Sequence, residues 1–336
     1  MKRIRLPSQL VRVITLVSLF GTMLGLLGCQ SSYSGKLEPI TIGMESTAVN
    51  ALIYIAAEQN YFAQNGLNVT LKEYPSGLAA VNGMLKNEVD LATAAEFVLV
   101  GKAFAQEDIR ALTSIDRFQH ISLIGRRDRG IDQVSDLKGK KIGVPLQTAA
   151  EFYLGRFLDL NGMNIQQVTL VNVSPPDSVN ALVNATVDAV IVWQPNVRAI
   201  EDRLGNGLIK WKAQKEQFAY CTLMSTDKWI SGHLELVKRF LNALIQAENF
   251  YQSRAKQAQS IVQKRLEYDD AYMAVIWQEH QISISLDQSL ILALEDQARW
   301  MIRNNLTDEK TTPNFLDYIS EKTIQALKPQ AVNIIR

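Results

Sequence analysis

The chain has 336 residues, 47% of them hydrophobic and 21% charged, with 35 Lys and Arg against 34 Asp and Glu. That length and balance suit a globular protein of about two ordinary domains, and they exclude both a disordered chain and the basic footprint of a nucleic-acid binder. Two cysteines, Cys29 and Cys221, and three histidines, His120, His233 and His280, form no clustered ligand set, so neither a metal nor another cofactor is expected.

The first element is a targeting segment. Lys2, Arg3, Arg5 and Arg12 precede an apolar run from Val13 to Leu27, the pattern of a signal peptide over residues 1–28. The run ends in Leu26-Leu27-Gly28-Cys29, which resembles a bacterial lipobox, with Leu27 where a small residue is more usual. Cys29 is then the expected acceptor of diacylglycerol, and residues 29–37 a polar tether to the membrane. Removal of residues 1–28 takes four basic side chains and no acidic one, leaving 31 against 34. Cys221, in the apolar segment FAYCTLM, reads as a buried core residue.

From Pro39 the pattern alternates strand and helix. PITIGM is a strand, AVNALIYIAAEQNYF an amphipathic helix with Gly66 as its stop, and LNVTLKEY the next strand. After the turn PSG come the unit VNGMLKNEVDLATAAE, a helix around FVLVGKAF, and the strands IRALTSI and QHISLIGR. A second series runs through KIGVP, AAEFYLGRFLDLNGM, VTLVNV, VNALVNATVDAVIVWQ and GLIKWKA. FAYCTLMS is another strand, and everything after Asp227 is helical in pattern, including AYMAVIWQEHQI and SLILALEDQARWMI. Such alternation predicts α/β architecture with mostly parallel sheets.

One unit occurs twice. Across Val81–Glu96 and Val179–Gln194, Asn82 matches Asn180, Val89 matches Val187 and Asp90 matches Asp188. The expected organisation is a discontinuous first lobe, residues 38–126 and 225–330, and an inserted second lobe, residues 127–224. The crossings between them are expected near Gly125–Gly130 and Phe218–Met224, and two adjacent tethers permit hinge closure.

Ligands of open α/β sheets bind beyond the carboxyl ends of strands. The residues at those ends are Glu45 and Ser46, Ser76 and Gly77, Ala95 and Glu96, Asp116, Gln147 and Thr148, and Trp193 and Gln194. Thr148 is placed to cap a helix whose free N–H groups face the cleft, and Thr148 with Glu151 forms a T-x-x-E capping box. Trp193 offers a flat apolar face. Glu45, Glu96 and Asp116 together predict an acidic rim that favours a ligand with an ammonium or several N–H groups, unless Arg117 neutralises it.

The segments YFAQNGLNV, VNGMLKNEVDLATA, DLKGKKIGVPLQTAAEFYLGRFLDLNGM, NALVNATVDAVIVWQP and TTPNFLDYISEKTIQALKP carry a resemblance over about residues 38–330. In order and spacing they are similar to the nitrate, sulfonate and taurine family of ABC transporter substrate-binding proteins, which includes pyrimidine-precursor binders. The resemblance implies a type II periplasmic-binding fold, two lobes around a ligand cleft, and a monomer that hands its ligand to a membrane permease and ATPase. It also implies contact by the Thr148 turn and by the Trp193 turn, where Gln194 replaces a frequent acid. The function expected is that of a lipid-anchored, extracytoplasmic solute-binding protein, not an enzyme, for a sulfonate/taurine-like or amino-pyrimidine-like molecule. The alternatives are a pyrimidine-precursor synthase-like enzyme on the same fold, and a ligand-sensing domain that signals to a membrane partner.

Overall fold

A computed structural model describes residues 35–215 and 217–336. The signal segment, the lipobox and Cys29 lie outside the described residues.

Eleven strands form two sheets among these residues. The first holds β1 (Glu38–Met44), β2 (Leu67–Glu73), β3 (Leu91–Ala95), β4 (Arg110–Phe118), β10 (Ala219–Ser225) and β11 (His280–Ser285), in the order β11-β4-β10-β3-β1-β2. The second holds β5 (Ile121–Arg126), β6 (Lys141–Val144), β7 (Thr169–Asn172), β8 (Ala189–Trp193) and β9 (Leu208–Lys212), in the order β7-β6-β8-β5-β9. β1, β2 and β3 run parallel, as do β6, β7 and β8. The strands LATAA and AVIVW are almost wholly buried and, Thr93 apart, apolar, as expected of parallel strands covered by helices.

The sequence repeat is a structural one. Asp90 follows helix Gly77–Leu85, and its Oδ2 accepts the backbone N–H of Thr41 at 2.7 Å, while its own N–H donates to the Thr41 carbonyl at 3.0 Å. Asp188 follows helix Pro175–Val183 and does the same to Lys141, at 2.9 and 2.8 Å. Asp90 thus pins the middle of β1 and Asp188 the start of β6, in the register in which Gly43 meets Ala92 and Gly143 meets Val190. The turn before each carries a left-handed residue, Asn87 at φ 60° and Ala185 at φ 56°. The shared residues therefore build the wall of each half.

Two expectations are corrected. β5 belongs to the second sheet, antiparallel to β8 and β9, and β10 to the first, antiparallel to β3 and β4. The chain consequently crosses between the sheets at Gln119–His120 and between the end of β9 and the start of β10, not through Gly125–Gly130 and Phe218–Met224. Each sheet takes in one strand that adjoins the other half in sequence, an exchange invisible to hydrophobic pattern because both strands are buried wherever they lie. The strand content also does not stop at Ser225. Helix Asp270–Trp277 ends early, and HQISIS alternates buried and partly exposed residues along β4, placing Ile282 and Ile284 in the core by the two-residue period of a strand.

One apolar core runs from the first sheet into the second. Helix Gln288–Arg303 helps join them: Trp300 lies edge-on to Phe152 at 5.4 Å between ring centres and to Phe97 at 6.1 Å. Arg156 meets Asp296 of the same helix at 3.6 Å. A smaller core, including Leu182, Val192 and Ile200, packs the second sheet against helices Pro175–Val183 and Asn196–Leu204.

Candidate functional site

A cavity of about 50 Å³ lies where the ends of β1, β3 and β8 and the Gln119–His120 crossing meet. On the first-sheet side the turn after β1 contributes Glu45, Thr47 and Asn50, the start of helix Gly77–Leu85 contributes Gly77, and β3 contributes Thr93 and Ala95. Gly77 is obligatory because a Cβ there would sit 2.7 Å from the Ala94 Cα, so only glycine lets the helix begin against β3. The second-sheet side contributes Thr148 and Ala149 at the start of helix Ala149–Leu160, and Trp193 at the end of β8. Val98, Phe118 and Ile121 add apolar wall.

Of the residues expected at strand ends, Glu45, Gly77, Ala95, Thr148 and Trp193 line this cavity. Ser46, Ser76, Glu96, Asp116, Gln147 and Gln194 do not, for local reasons where a bond is seen. Ser76 is spent as a helix cap, accepting the Ala79 N–H at 3.2 Å. Gln194 accepts from Tyr272 Oη at 2.8 Å and from the Arg198 N–H at 3.2 Å. Gln147, left-handed at φ 61°, donates its N–H to Glu151 at 2.7 Å. Glu151 therefore caps the residue before Thr148 rather than Thr148 itself, while the Thr148 hydroxyl accepts from Ala150 N–H at 3.3 Å and donates to the Pro145 carbonyl at 2.6 Å.

The acidic rim is overturned as a set. Glu96 is fully buried at the start of helix Glu96–Phe104, accepting from Tyr220 N–H at 2.8 Å and from Gln297 Nε2 at 2.7 Å. Burial raises its pKa to about 7, against the pull of those two donors. Asp116 is also fully buried, 2.5 Å from His280 Nδ1; burial raises its pKa and His280 opposes the rise. Glu45 alone of the three reaches the cavity. It accepts from Trp193 Nε1 at 2.8 Å across the two sides, and burial pushes its pKa to about 8 while that bond pulls it down.

His120 and Thr47 are the chief residues that strand-end reasoning missed. His120 sits on the crossing between β4 and β5, its ring 4.4 Å from Phe118 and 5.4 Å from His280, and burial holds it neutral by lowering its pKa well below the ordinary value. Its place between two strands of different sheets was the available signal. Thr47 is 2% exposed and its hydroxyl has no partner among the described residues. Cys221 lies in the wall, 1% exposed, and burial raises its thiol pKa well above the ordinary value, which keeps it protonated and unreactive.

The lining among the described residues contains no Lys or Arg. Positive potential comes instead from the N-termini of helices Gly77–Leu85 and Ala149–Leu160, whose first residues border the cavity. The arrangement offers donors at these helix starts, a carboxyl able to gain or lose a proton at Glu45, and the apolar surfaces of Val98, Phe118 and Trp193. It suits a small molecule with both polar edges and apolar faces.

The titration of Glu45 gives a testable sign. Its folded pKa of about 8 exceeds the ordinary 4.5, so the folded state binds the extra proton and stability declines as pH rises through that interval. The unfolding temperature is expected to fall between pH 6 and pH 9, and less so in Glu45→Gln, whose margin over the parent is largest at pH 9. A parallel fall in both proteins would show that Glu45 does not carry the effect.

The two sheets with their helices have the periplasmic-binding-protein fold. The family model described as NMT1/THI5 like matches residues 48–258, more than half of the chain, and the chain belongs to that family. It is 24% identical over 226 residues to the taurine-binding periplasmic protein of Escherichia coli (strain K12), covering 66% of this chain and 68% of that one. The alkanesulfonate-binding protein SsuA from Xanthomonas axonopodis pv. citri, bound to MOPS, superposes with a TM-score of 0.73 at 16% identity, covering 86% of this chain and 100% of that one. A Candida albicans protein with the generic periplasmic binding protein fold superposes with a TM-score of 0.68 at 14% identity, over 88% and 96% of the two chains.

Proposed function

We propose that the chain is an extracytoplasmic solute-binding protein of an ABC importer, anchored by lipid on Cys29, which closes two lobes over a small polar organic molecule and delivers it to a permease. The observation that carries this reading is the cavity walled from both sides and bridged by the Glu45–Trp193 hydrogen bond. A relative that binds taurine supports the solute class. The lining supports an uncharged or amino-bearing ligand over a bare inorganic anion, because among the described residues no basic side chain lines the cavity and Glu45 does. A flat amino-pyrimidine-like ring would stack on Trp193 and meet Glu45, whereas a taurine-like molecule would set its sulfonate at the helix starts and its ammonium at Glu45.

The test is a thermal-shift panel of aminopyrimidines, taurine, alkylsulfonates and nitrate. Stabilisation by one of the organic compounds is expected, and stabilisation by nitrate alone would overturn the ligand reading.

A further inference from the structure

We infer that the turn Glu267–Asp269 and the helix start through Tyr272 form a clasp that fastens the second-sheet half over the cavity. The inference rests on the two-lobed reading above and adds the fastening that reading lacks. Tyr272, at the start of helix Asp270–Trp277, donates from its hydroxyl to Gln194 Oε1 at 2.8 Å. Asp269, one turn earlier, meets Arg198 Nη2 at 2.7 Å. Gln194 and Arg198 both belong to the segment that follows β8, immediately after the cavity residue Trp193. The Arg198 guanidinium also lies over the Tyr272 ring, 4.8 Å from its centre.

The clasp is preset on its own side. Asp269 Oδ1 accepts the Tyr272 N–H at 2.8 Å, capping the helix, so the same carboxylate shapes the turn and reaches Arg198. Tyr268 packs edge-on against Tyr272 with ring centres 4.6 Å apart. Glu267 holds the left-handed conformation, φ 56°, that lets the chain leave helix Ala255–Leu266 and turn back toward the second-sheet half. Gln194 is ready as well, since its Oε1 is fixed by the Arg198 N–H. Gln194 directly follows Trp193, so the three contacts hold the chain next to the Glu45–Trp193 bond and resist opening there.

Its parts differ in kind. The Tyr272–Gln194 bond is partly buried and neutral, hence little affected by salt, whereas Arg198 and Asp269 are exposed enough for salt to screen them. Double electron–electron resonance between labels on Lys86→Cys and Asn184→Cys, exposed ends of the two repeated helices, reads the separation of the halves. The full chain also carries Cys29→Ser, and buried Cys221 does not label. Tyr272→Phe is expected to raise the ratio of long to short distances about fivefold at any salt concentration, the effect of one net hydrogen bond. Arg198→Gln is expected to raise it about twofold, and only at low salt. Two distances whose ratio neither substitution moves would overturn the clasp and leave the hinge standing. A single distance in every protein would overturn the two-lobed reading, and the clasp with it.

Discussion

Trp300→Ala is expected to lower the unfolding free energy by about 3–5 kcal/mol, the cost of deleting a large buried aromatic from a packed site. Trp300 is 2% exposed and packs edge-on against the stacked pair of Phe97, from the first-sheet side, and Phe152, from the second. Its seat depends on Gly155, where a Cβ would stand 2.2 Å from Trp300 Cζ2. Gly155→Val is therefore expected to destabilise the parent strongly and the Trp300→Ala protein much less, because removing the ring opens the space the new side chain needs. Urea unfolding of the four proteins of this cycle measures the coupling. Additive losses would show that the two residues do not share one packing site.

His280→Ala is expected to cost a similar amount, about 3–5 kcal/mol at pH 7, because it leaves the Asp116 carboxylate buried without its partner. The sign of its pH dependence follows from burial. Without His280 the folded state holds Asp116 protonated to still higher pH, so the deficit relative to the parent grows as pH rises and shrinks as it falls. Adding Asp116→Asn is expected to recover much of the loss at pH 8, since the neutral amide carries no charge to desolvate. A deficit constant from pH 5 to pH 8, or no recovery, would show that the pair is held by packing and not by charge. His280 also packs against the cavity residue His120, so this pair supports the wall from behind.

The repeat of Asp90 and Asp188 was legible because each ends the same helix–turn pattern in sequence, although the strand that each carboxylate holds, at Thr41 and at Lys141, lies more than forty residues earlier. The Thr148 and Trp193 positions were legible for the same reason: a helix cap and a strand end are set by neighbours in sequence. Glu96 was not. It follows β3 directly, as a cleft residue would, but its partner Gln297 lies 201 residues away on a helix whose docking no local pattern encodes. Asp116 was misplaced likewise, its partner His280 being 164 residues distant on a strand that hydrophobic pattern assigned to a helix. The exchange of β5 and β10 between sheets was hidden because apolar alternation reports burial and not the identity of the neighbouring strand.

The proposed function requires a ligand to bind in the cavity between the two sheets. It is tested most directly by isothermal titration of the compound that stabilises the protein, against the parent and against Ala95→Trp, which places an indole in the cavity at a partly exposed position. One site per chain in the parent and no measurable binding in a folded Ala95→Trp protein is the result expected. Equal affinity in both would place the ligand outside the cavity and rule out the proposed binding site.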